Sequence, residues 1–289
     1  MVVDVRKRIL KSLAISLIAV IPLAANANAG GGKLLEAAGV SQMEGSGGGG
    51  LVPWATIAGY GTDEELAASI FTTRTDFQDY RFNAYGAAFS LYNRVELSLA
   101  RQSFDIFNSP NEIEQTIVGA KARVAGDLIY SYWPQVSVGV QYKKLHDSAI
   151  AESLGARDSD TGVDAYVAFT KAHLAAAFGY NVLWDVTLRA TKANQFGLLG
   201  FGGDDNDSYE LMIEGAVAVL LSRHIAVGFE YRQKPDNLGV VEEDDAYDAF
   251  IAFIPNKHFN LALAWAELGT MAGSEDQSGV YFSLTGYVW

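Results

Sequence analysis

The arrangement most worth testing for covalent catalysis is His146, which stands beside Asp147 and Ser148. A serine hydrolase needs a histidine base and a carboxylate, but such a triad is defined by its geometry in space and not by adjacency in the chain. Neighbouring side chains of an extended segment point to opposite faces. The other three histidines are scattered and the chain has no cysteine. The sequence therefore predicts no enzyme, no catalytic residue, no metal site and no cofactor.

Two runs of acidic residues are candidates for binding cations, Asp204-Asp205-Asn206-Asp207 and Glu242-Glu243-Asp244-Asp245. A calcium loop of the EF-hand type needs glycine at its sixth position and glutamate at its twelfth. Counted from Asp204, these positions hold Tyr209 and Gly215. Solvated loops explain both runs more simply.

A larger set of polar side chains alternates with apolar ones. In residues 118–124, Lys121 and Arg123 stand between alanine and valine residues. Because alternate side chains of a strand point to opposite faces, each such segment has one polar and one apolar face. We expect the polar faces to line the lumen of a barrel. The predicted lumen-lining residues are Lys121, Arg123, Gln141, Lys143, Arg189, Glu210, Glu214, Glu230, Arg232 and Asp248.

These charges divide into a basic wall and an acidic wall about four strands apart. The basic wall holds Lys121, Arg123 and Lys143, and the acidic wall holds Glu210, Glu214 and Glu230. Pores use charged walls to select solutes, so this division predicts a transverse field at the waist of a channel. The alternative is that the charges pair with one another and only hold the lumen together.

The elements that must position these residues are strands. Large apolar residues alternate with small or charged ones throughout 225–232, and the pattern recurs in twelve segments. A charge that faces lipid at mid-depth costs about 2–4 kcal/mol, so the apolar faces are assigned outward. The predicted strands lie near 64–74, 80–92, 94–104, 115–127, 134–145, 161–171, 183–195, 207–221, 224–233, 246–255, 258–268 and 279–289.

Short and long connections alternate along the chain, as in outer-membrane barrels with short periplasmic turns and longer external loops. This pattern predicts an all-β, transmembrane antiparallel up-and-down β-barrel of about 12 strands, within the range 12–14, at residues 61–289. The connection 172–182 is too long for a turn, so it predicts either a small helix or a misread strand. Residues 51–60 could form a further strand. We place the glycine-rich segment 30–60 in or under the lumen, as a possible plug or luminal strand, and it lacks the Gly-Lys-Ser/Thr of a phosphate loop.

The composition agrees with a barrel that follows a secretory leader. The chain of 289 residues is 49% hydrophobic, yet after its start no run of about 18 apolar residues could form a membrane helix. Residues 1–29 are predicted to form a signal peptide, with basic residues before an apolar run and two candidate cleavage sites, Ala25-Asn26-Ala27 and Ala27-Asn28-Ala29. The net charge of −13 argues against nucleic acid as a partner. It suits cation-bridged contact with lipopolysaccharide, and solubility alone would also explain it.

Aromatic residues cluster at the predicted strand ends, as in the belts that hold barrels at both membrane interfaces. This group contains Tyr130, Trp133, Trp184, Phe259, Trp265, Tyr287 and Trp289. The last residues also resemble the insertion signal of outer-membrane barrels, through the alternating Tyr281, Tyr287 and Trp289, which implies the barrel-assembly machinery as a partner. Ser283 and Thr285 stand where that signal usually has apolar residues.

Three stretches, 32–61, 94–102 and 188–203, resemble a family of uncharacterised Gram-negative outer-membrane proteins that is catalogued as a domain of unknown function. The motifs include Gly48-Gly49-Gly50-Leu51, Pro53-Trp54-Ala55 and Gly200-Phe201-Gly202-Gly203. The resemblance covers nearly the whole chain after residue 29. It implies a barrel in the outer membrane and nothing about a substrate.

Together these observations favour a narrow pore or transporter for small solutes in the outer membrane of a Gram-negative bacterium. Outer-membrane lipid and lipopolysaccharide are the expected surroundings, and a small solute is a possible ligand. The first alternative is a non-conducting structural or surface-binding barrel with acidic external loops. A lipid-modifying outer-membrane enzyme is the third hypothesis.

Overall fold

The computed structural model describes residues 39–107, 112–158, 160–240 and 242–289. The predicted signal peptide and the start of the glycine-rich segment lie outside these residues. The twelve long strands form one closed antiparallel barrel, in which the last strand pairs with the first. The predicted all-β barrel of twelve strands is therefore confirmed.

Fourteen strands are present in the described residues, and two short ones lie inside the barrel. The internal pair is β1 (Val40–Ser41) and β2 (Gly47–Gly48). The barrel strands are β3 (Leu66–Asp76), β4 (Tyr80–Leu91), β5 (Val95–Ile106), β6 (Glu112–Ala125), β7 (Gln135–Leu145), β8 (Thr161–Ala177), β9 (Tyr180–Thr191), β10 (Glu210–Ser222), β11 (Ile225–Arg232), β12 (Ala246–Phe253), β13 (Phe259–Glu267) and β14 (Ser278–Val288).

The alternation of side chains along each strand decides which face is buried. On β11, Ala226, Glu230 and Arg232 are buried inside the barrel, whereas Phe229 between them is exposed outside. A one-residue shift in pairing would exchange these faces, so the pattern also fixes the register. The barrel has a turn end, with connections at 92–94, 126–134, 178–179, 223–224 and 254–258, and a loop end, with connections at 77–79, 107–111, 146–160, 192–209, 233–245 and 268–277.

Residues 172–182 form no separate connection. Strand β8 continues to Ala177, β9 begins at Tyr180, and the chain reverses at Phe178 and Gly179, both with positive φ. The alanine-rich sequence favours a helix locally, but pairing with β9 overrides this preference. A register irregularity between His173 and Ala177 accommodates the change.

The helices of the described residues are short and lie in loop-end connections. Helix α1 (Ala149–Ser153) lies in the connection 146–160, and a 3-10 helix (Asn194–Gly197) follows β9. In the part of the chain that the structure describes, no helix has the length and apolar character to cross a bilayer.

Strand β14 faces the opposite way from the predicted insertion signal. Tyr281, Ser283, Thr285 and Tyr287 all point into the barrel and are buried. Tyr287, which the sequence analysis assigns to an aromatic belt, lies inside the barrel instead, where the residue is 4% exposed and its ring packs edge-on against Tyr60. Ser283 and Thr285 are polar because this face is internal.

Candidate functional site in the barrel lumen

Residues 39–61, which we call the luminal segment, lie inside the barrel against its inward side chains. The amides of Gly47 and Ala58 donate hydrogen bonds to the carboxylate of Glu96, at 3.0 and 2.7 Å. The amide of Leu51 donates to Glu230 at 2.8 Å. The segment forms no strand of the barrel wall, since its only strand pairing is between β1 and β2 and at isolated bridges in the described residues.

The glycines of the luminal segment are required by packing. A Cβ atom on Gly49 would lie 1.6 Å from Oε1 of Glu230, and one on Gly48 would lie 2.5 Å from the backbone nitrogen of Trp54. Gly45 has φ of +100°, a backbone conformation that side chains disfavour. Residues 39–50 are therefore a closely packed backbone, unlike the flexible lead-in that glycine content alone suggests.

A buried cluster of charges surrounds Glu44 of the luminal segment. The carboxylate of Glu44 pairs with Nζ of Lys143 at 2.5 Å and with Nη1 of Arg232 at 2.9 Å. Nη1 of Arg189 lies 3.6 Å from the same carboxylate, and Nε of Arg189 pairs with Glu214 at 2.5 Å. Because all five side chains are buried, each charge depends on its partners for compensation.

A second ion pair anchors the luminal segment to β5 and β6. Nζ of Lys121 lies 3.2 Å from the carboxylate of Glu96. It also donates to the carbonyl oxygens of Gly47 and Trp54, at 2.7 and 3.2 Å. Lys121 thus holds two separate parts of the segment.

Residues 193–202, which we call the inserted loop, enter the lumen from the loop end. Phe196 and Phe201 are buried. The carbonyl oxygen of Phe196 accepts a hydrogen bond from Nζ of Lys143 at 2.9 Å, and the guanidinium of Arg232 lies 4.5 Å from the centre of its ring. Lys143 and Arg232 thus contact both the inserted loop and Glu44. The two elements meet at these cations, and both occupy the lumen.

The inserted loop is held in turn by the connection 233–245. The backbone amide of Gln195 donates to both carboxylate oxygens of Glu243, at 3.1 and 3.0 Å. Nζ of Lys234 donates to Oε1 of Gln195 at 3.1 Å. Burial raises the pKa of the Glu243 carboxyl to about 7, although the charge of Lys234 and the amide of Gln195 act in the opposite direction.

The structure places the predicted lumen-lining residues at different depths. Eight of them are buried on the inner face: Lys121, Gln141, Lys143, Arg189, Glu214, Glu230, Arg232 and Asp248. Arg123 lies at the turn end, where it approaches Asp63 at 3.7 Å, and Glu210 lies at the loop end, where it accepts a hydrogen bond from Asn206 at 2.8 Å. These two therefore do not lie at the waist of the barrel.

The basic and acidic walls are not separate in the structure. Arg189 and Arg232 lie beside Glu214, and Glu44 of the luminal segment joins them to Lys143. The predicted transverse field is therefore compensated inside the lumen, in agreement with the alternative of mutually paired charges.

Four buried acidic residues of the lumen are missing from the predicted set, namely Glu44, Glu96, Asp164 and Asp185. Glu96, Asp164 and Asp185 follow the alternation of their strands, so the period of two carries a signal for them. Glu44 lies in an irregular segment and shows no such signal.

The triad candidate does not assemble. Nε2 of His146 forms a hydrogen bond with Oγ1 of Thr116 at 2.8 Å, and the hydroxyl of Ser148 donates to Glu152 at 2.7 Å. Asp147 accepts from the amide of Ala149. Within the described ranges, no group of three or more His, Asp or Glu side chains is arranged to hold a metal ion.

The fold and the filled lumen define the class: a closed β-barrel of the outer-membrane type that contains its own N-terminal segment. The chain matches, over residues 37–285, a family described as "Protein of unknown function (DUF3034)", and it belongs to that family. A comparison with curated proteins gives no match.

Several solved outer-membrane barrels match the fold. The KdgM porin in complex with disordered oligogalacturonate matches with a TM-score of 0.49 and 9% identity, over 75% of this chain and 98% of that chain. The NanC porin matches with a TM-score of 0.47 and 8% identity, over 77% and 100%. Outer membrane phospholipase A from Escherichia coli matches with a TM-score of 0.42 and 10% identity, over 76% and 92%.

Proposed function

We propose that the protein spans the outer membrane of a Gram-negative bacterium, with its turn end in the periplasm. Every barrel strand carries an exposed apolar side chain on its outer face. Together these side chains form a surface whose contact with lipid is favourable and whose contact with water is unfavourable. Examples, one from each strand in order, are Ile70, Tyr85, Leu99, Val118, Val140, Val163, Val186, Ile213, Phe229, Ile251, Leu263 and Val280. The acidic external connections would then face lipopolysaccharide and its divalent counter-ions.

Within that membrane, the protein is a narrow pore for small polar solutes that its own luminal segment keeps closed. The observation that carries this proposal is the polar wall behind the segment. A barrel of 8 strands is filled by its own side chains and one of 16–18 strands leaves an aqueous channel, so a barrel of twelve strands lies between the two cases. Here the wall behind residues 39–61 carries Lys121, Lys143, Arg189 and Glu230, which would hold water once the segment withdraws.

The polar contacts that hold the segment are ion pairs to Glu44 and hydrogen bonds from backbone amides to Glu96 and Glu230, and water can replace them. Apolar side chains such as Leu51 and Trp54 hold it as well, through packing in the core. The alternative is a barrel that never conducts, and the complete pairing around Glu44 favours it. The proposal contains no catalytic step, because Ser148 and His146 each engage other side chains.

The test is the current through purified protein in planar bilayers, with Gly49→Ala as the opening variant. A methyl group at residue 49 overlaps the carboxylate of Glu230, so it weakens the seat of the segment without changing any charge. The matched control is Gly215→Ala on the outer face of β10, where the nearest atom to the new Cβ is 3.5 Å away. We expect stepwise openings at least ten times more frequent in Gly49→Ala than in the parent or the control.

Ser98→Cys reports the position of the segment independently. Ser98 is buried on the inner face of β5, its Cβ lies 3.5 Å from the Cβ position of Gly45, and the chain has no cysteine of its own. We expect a water-soluble thiol reagent to modify this cysteine faster in the Gly49→Ala background and to reduce the current. Silence of a folded Gly49→Ala barrel would establish the non-conducting alternative. Current with a protected thiol would show that solutes pass by a route other than the one that the segment covers.

A further inference from the structure

A pocket remains in the lumen where the luminal segment does not fill the space beside strands β9–β14. Eight apolar residues, among them Leu183, Phe250 and Ala252, form most of its outer wall, and Tyr281 of β14 adds a hydroxyl group. Its inner wall is formed by Val40, Gly49, Gly50 and Trp54 of the segment. Four of the eight outer residues are alanines, and their short side chains leave room that larger aliphatic residues would occupy.

Two carboxyl groups lie at the edge of this apolar pocket. Glu230 and Asp248 are direct partners across β11 and β12. Both oxygens of Glu230 are engaged, because Oε2 accepts from the amide of Leu51 at 2.8 Å and Oε1 accepts from Nε1 of Trp54 at 3.3 Å. Glu230 thus has its donors within the protein.

Asp248 differs from Glu230 because one of its carboxyl oxygens is not engaged by any described residue. Its residue is 1% exposed, it lines the pocket, and its Oδ1 has no hydrogen-bond partner among the described residues. Burial of a polar group without a hydrogen-bond partner is unfavourable, and more so if the group is charged. The pocket thus presents an unused acceptor next to a second carboxyl group.

We propose that this pocket binds a small aliphatic amine, with the ammonium group at Asp248 and the alkyl chain against the alanine residues. An ammonium group has three N–H donors and one positive charge, which matches an unpartnered carboxylate beside Glu230. A hard metal ion takes six or more oxygen ligands, whereas the side chains that line this pocket offer oxygen atoms only from Glu230, Asp248 and Tyr281. A neutral alcohol of the same shape leaves the two carboxyl groups without a counter-charge.

The length of the pocket suits a chain of a few carbons. Asp248 and Ala252 both face the pocket and stand four residues apart on β12, about 13 Å at the rise of a strand. n-Pentylamine fits within this distance. This inference goes beyond the pore proposal and does not depend on it, since the pocket is present with the luminal segment in place.

The test is calorimetric titration of the full protein in nanodiscs of zwitterionic lipid at pH 7, with empty discs subtracted. The ligands are n-pentylamine and its neutral counterpart n-pentanol. We expect the amine to bind at least tenfold more tightly than the alcohol. Asp248→Asn should weaken amine binding at least tenfold, and Ala252→Leu should abolish it by filling the pocket. The control variant Asp204→Asn removes a carboxylate of an external connection that pairs with Arg157, and it should bind like the parent.

Asp248→Asn keeps the shape of the side chain and removes one of two neighbouring carboxyl groups. It therefore tests whether Asp248 binds the amine even if Ala252→Leu does not fold. Equal affinity of Asp248→Asn and the parent would overturn the proposal, as would absence of binding to the parent. If potassium ions displace the amine at concentrations at which choline does not, the pocket is a site for inorganic cations and the proposal is wrong. Conductance enters none of these measurements, so failure here leaves the pore proposal standing.

Discussion

Buried carboxyl groups have cationic partners in one region of the lumen and lack them in another. Around Glu44, each carboxylate has a cation within 4 Å, and the inserted loop adds a carbonyl acceptor for Lys143. Around Asp248 the wall is mostly apolar, and Oδ1 of the carboxyl group has no hydrogen-bond donor in the part of the chain that the structure describes. Both walls come from the same alternation of residues on neighbouring strands. The difference shows that the luminal segment compensates the charged region and leaves the apolar region incomplete.

The largest effect is expected from Arg189→Met, which breaks the compensated region. Arg189 contacts Glu44, Asp164 and Glu214, so its loss leaves buried carboxylates with fewer cations. Removal of one partner from a buried ion pair costs about 3–5 kcal/mol. We expect the free energy of unfolding in urea, measured on the barrel in lipid vesicles, to fall by about that amount.

Arg157→Met is the matched control for this variant. Arg157 pairs with Asp204 at 2.9 Å, but the two side chains are 58% and 63% exposed. Exposed pairs contribute about 0–1 kcal/mol, so this variant should unfold like the parent. If Arg189→Met also left the free energy of unfolding unchanged, Arg189 would not be needed to compensate the buried carboxylates around Glu44.

A smaller effect is expected when a charge is supplied to the incomplete region. Ala266 on β13 is the direct partner of Asp248 on β12 and faces the lumen. Ala266→Lys places an ammonium group within reach of Asp248, whereas Ala266→Met adds similar volume without charge. Combined with Asp248→Asn in a double-mutant cycle, the lysine variant should show a favourable coupling free energy of about 1–3 kcal/mol.

The methionine variant serves as the control, and its coupling to Asp248→Asn should be close to zero. Ala266→Lys should also eliminate the binding of n-pentylamine, because the counter-charge is then part of the protein. A coupling of zero for the lysine variant would mean that Asp248 is not an available acceptor, and it would remove the contrast between the two regions.

The sequence predicts the wall of the barrel better than its contents. The period of two is a local property, so residues such as Lys143, Arg189 and Asp248 fall on the correct face without knowledge of the fold. Glu44 and Phe196 lie in irregular segments, where nothing periodic indicates that the chain enters the lumen. The run of alanines near residue 175 misleads because cross-strand pairing outweighs local helix preference. The unpartnered state of Asp248 follows only from three-dimensional packing.

The smallest effect is expected in the connection 233–245, which closes the compensated region at the loop end. Burial raises the pKa of Glu243 to about 7. In the docked connection, Glu243 therefore keeps its proton at pH values at which the same side chain would be ionised in a released connection. Docking is therefore most stable below pH about 4.5 and weakens as the pH rises through about 7. A spin label on Val240→Cys, an exposed position in the same connection, should become more mobile at pH 8 than at pH 5.5.

Glu243→Gln should remove this pH dependence, because the amide keeps the hydrogen-bonding shape and does not ionise. Glu242→Gln, whose side chain is exposed, should retain it. Lys234 and Asp236 act on the same carboxyl group in opposite directions, so they set the midpoint without creating the effect. The expected change in mobility is small, because other hydrogen bonds also hold this connection. Asn237 donates to Asn194 at 2.8 Å, and Asp244 accepts from the amide of Thr270 at 2.9 Å. If the mobility of the label also rises with pH in Glu243→Gln, another group is responsible for the titration. The connection would then not depend on the charge of Glu243 beside the lumen.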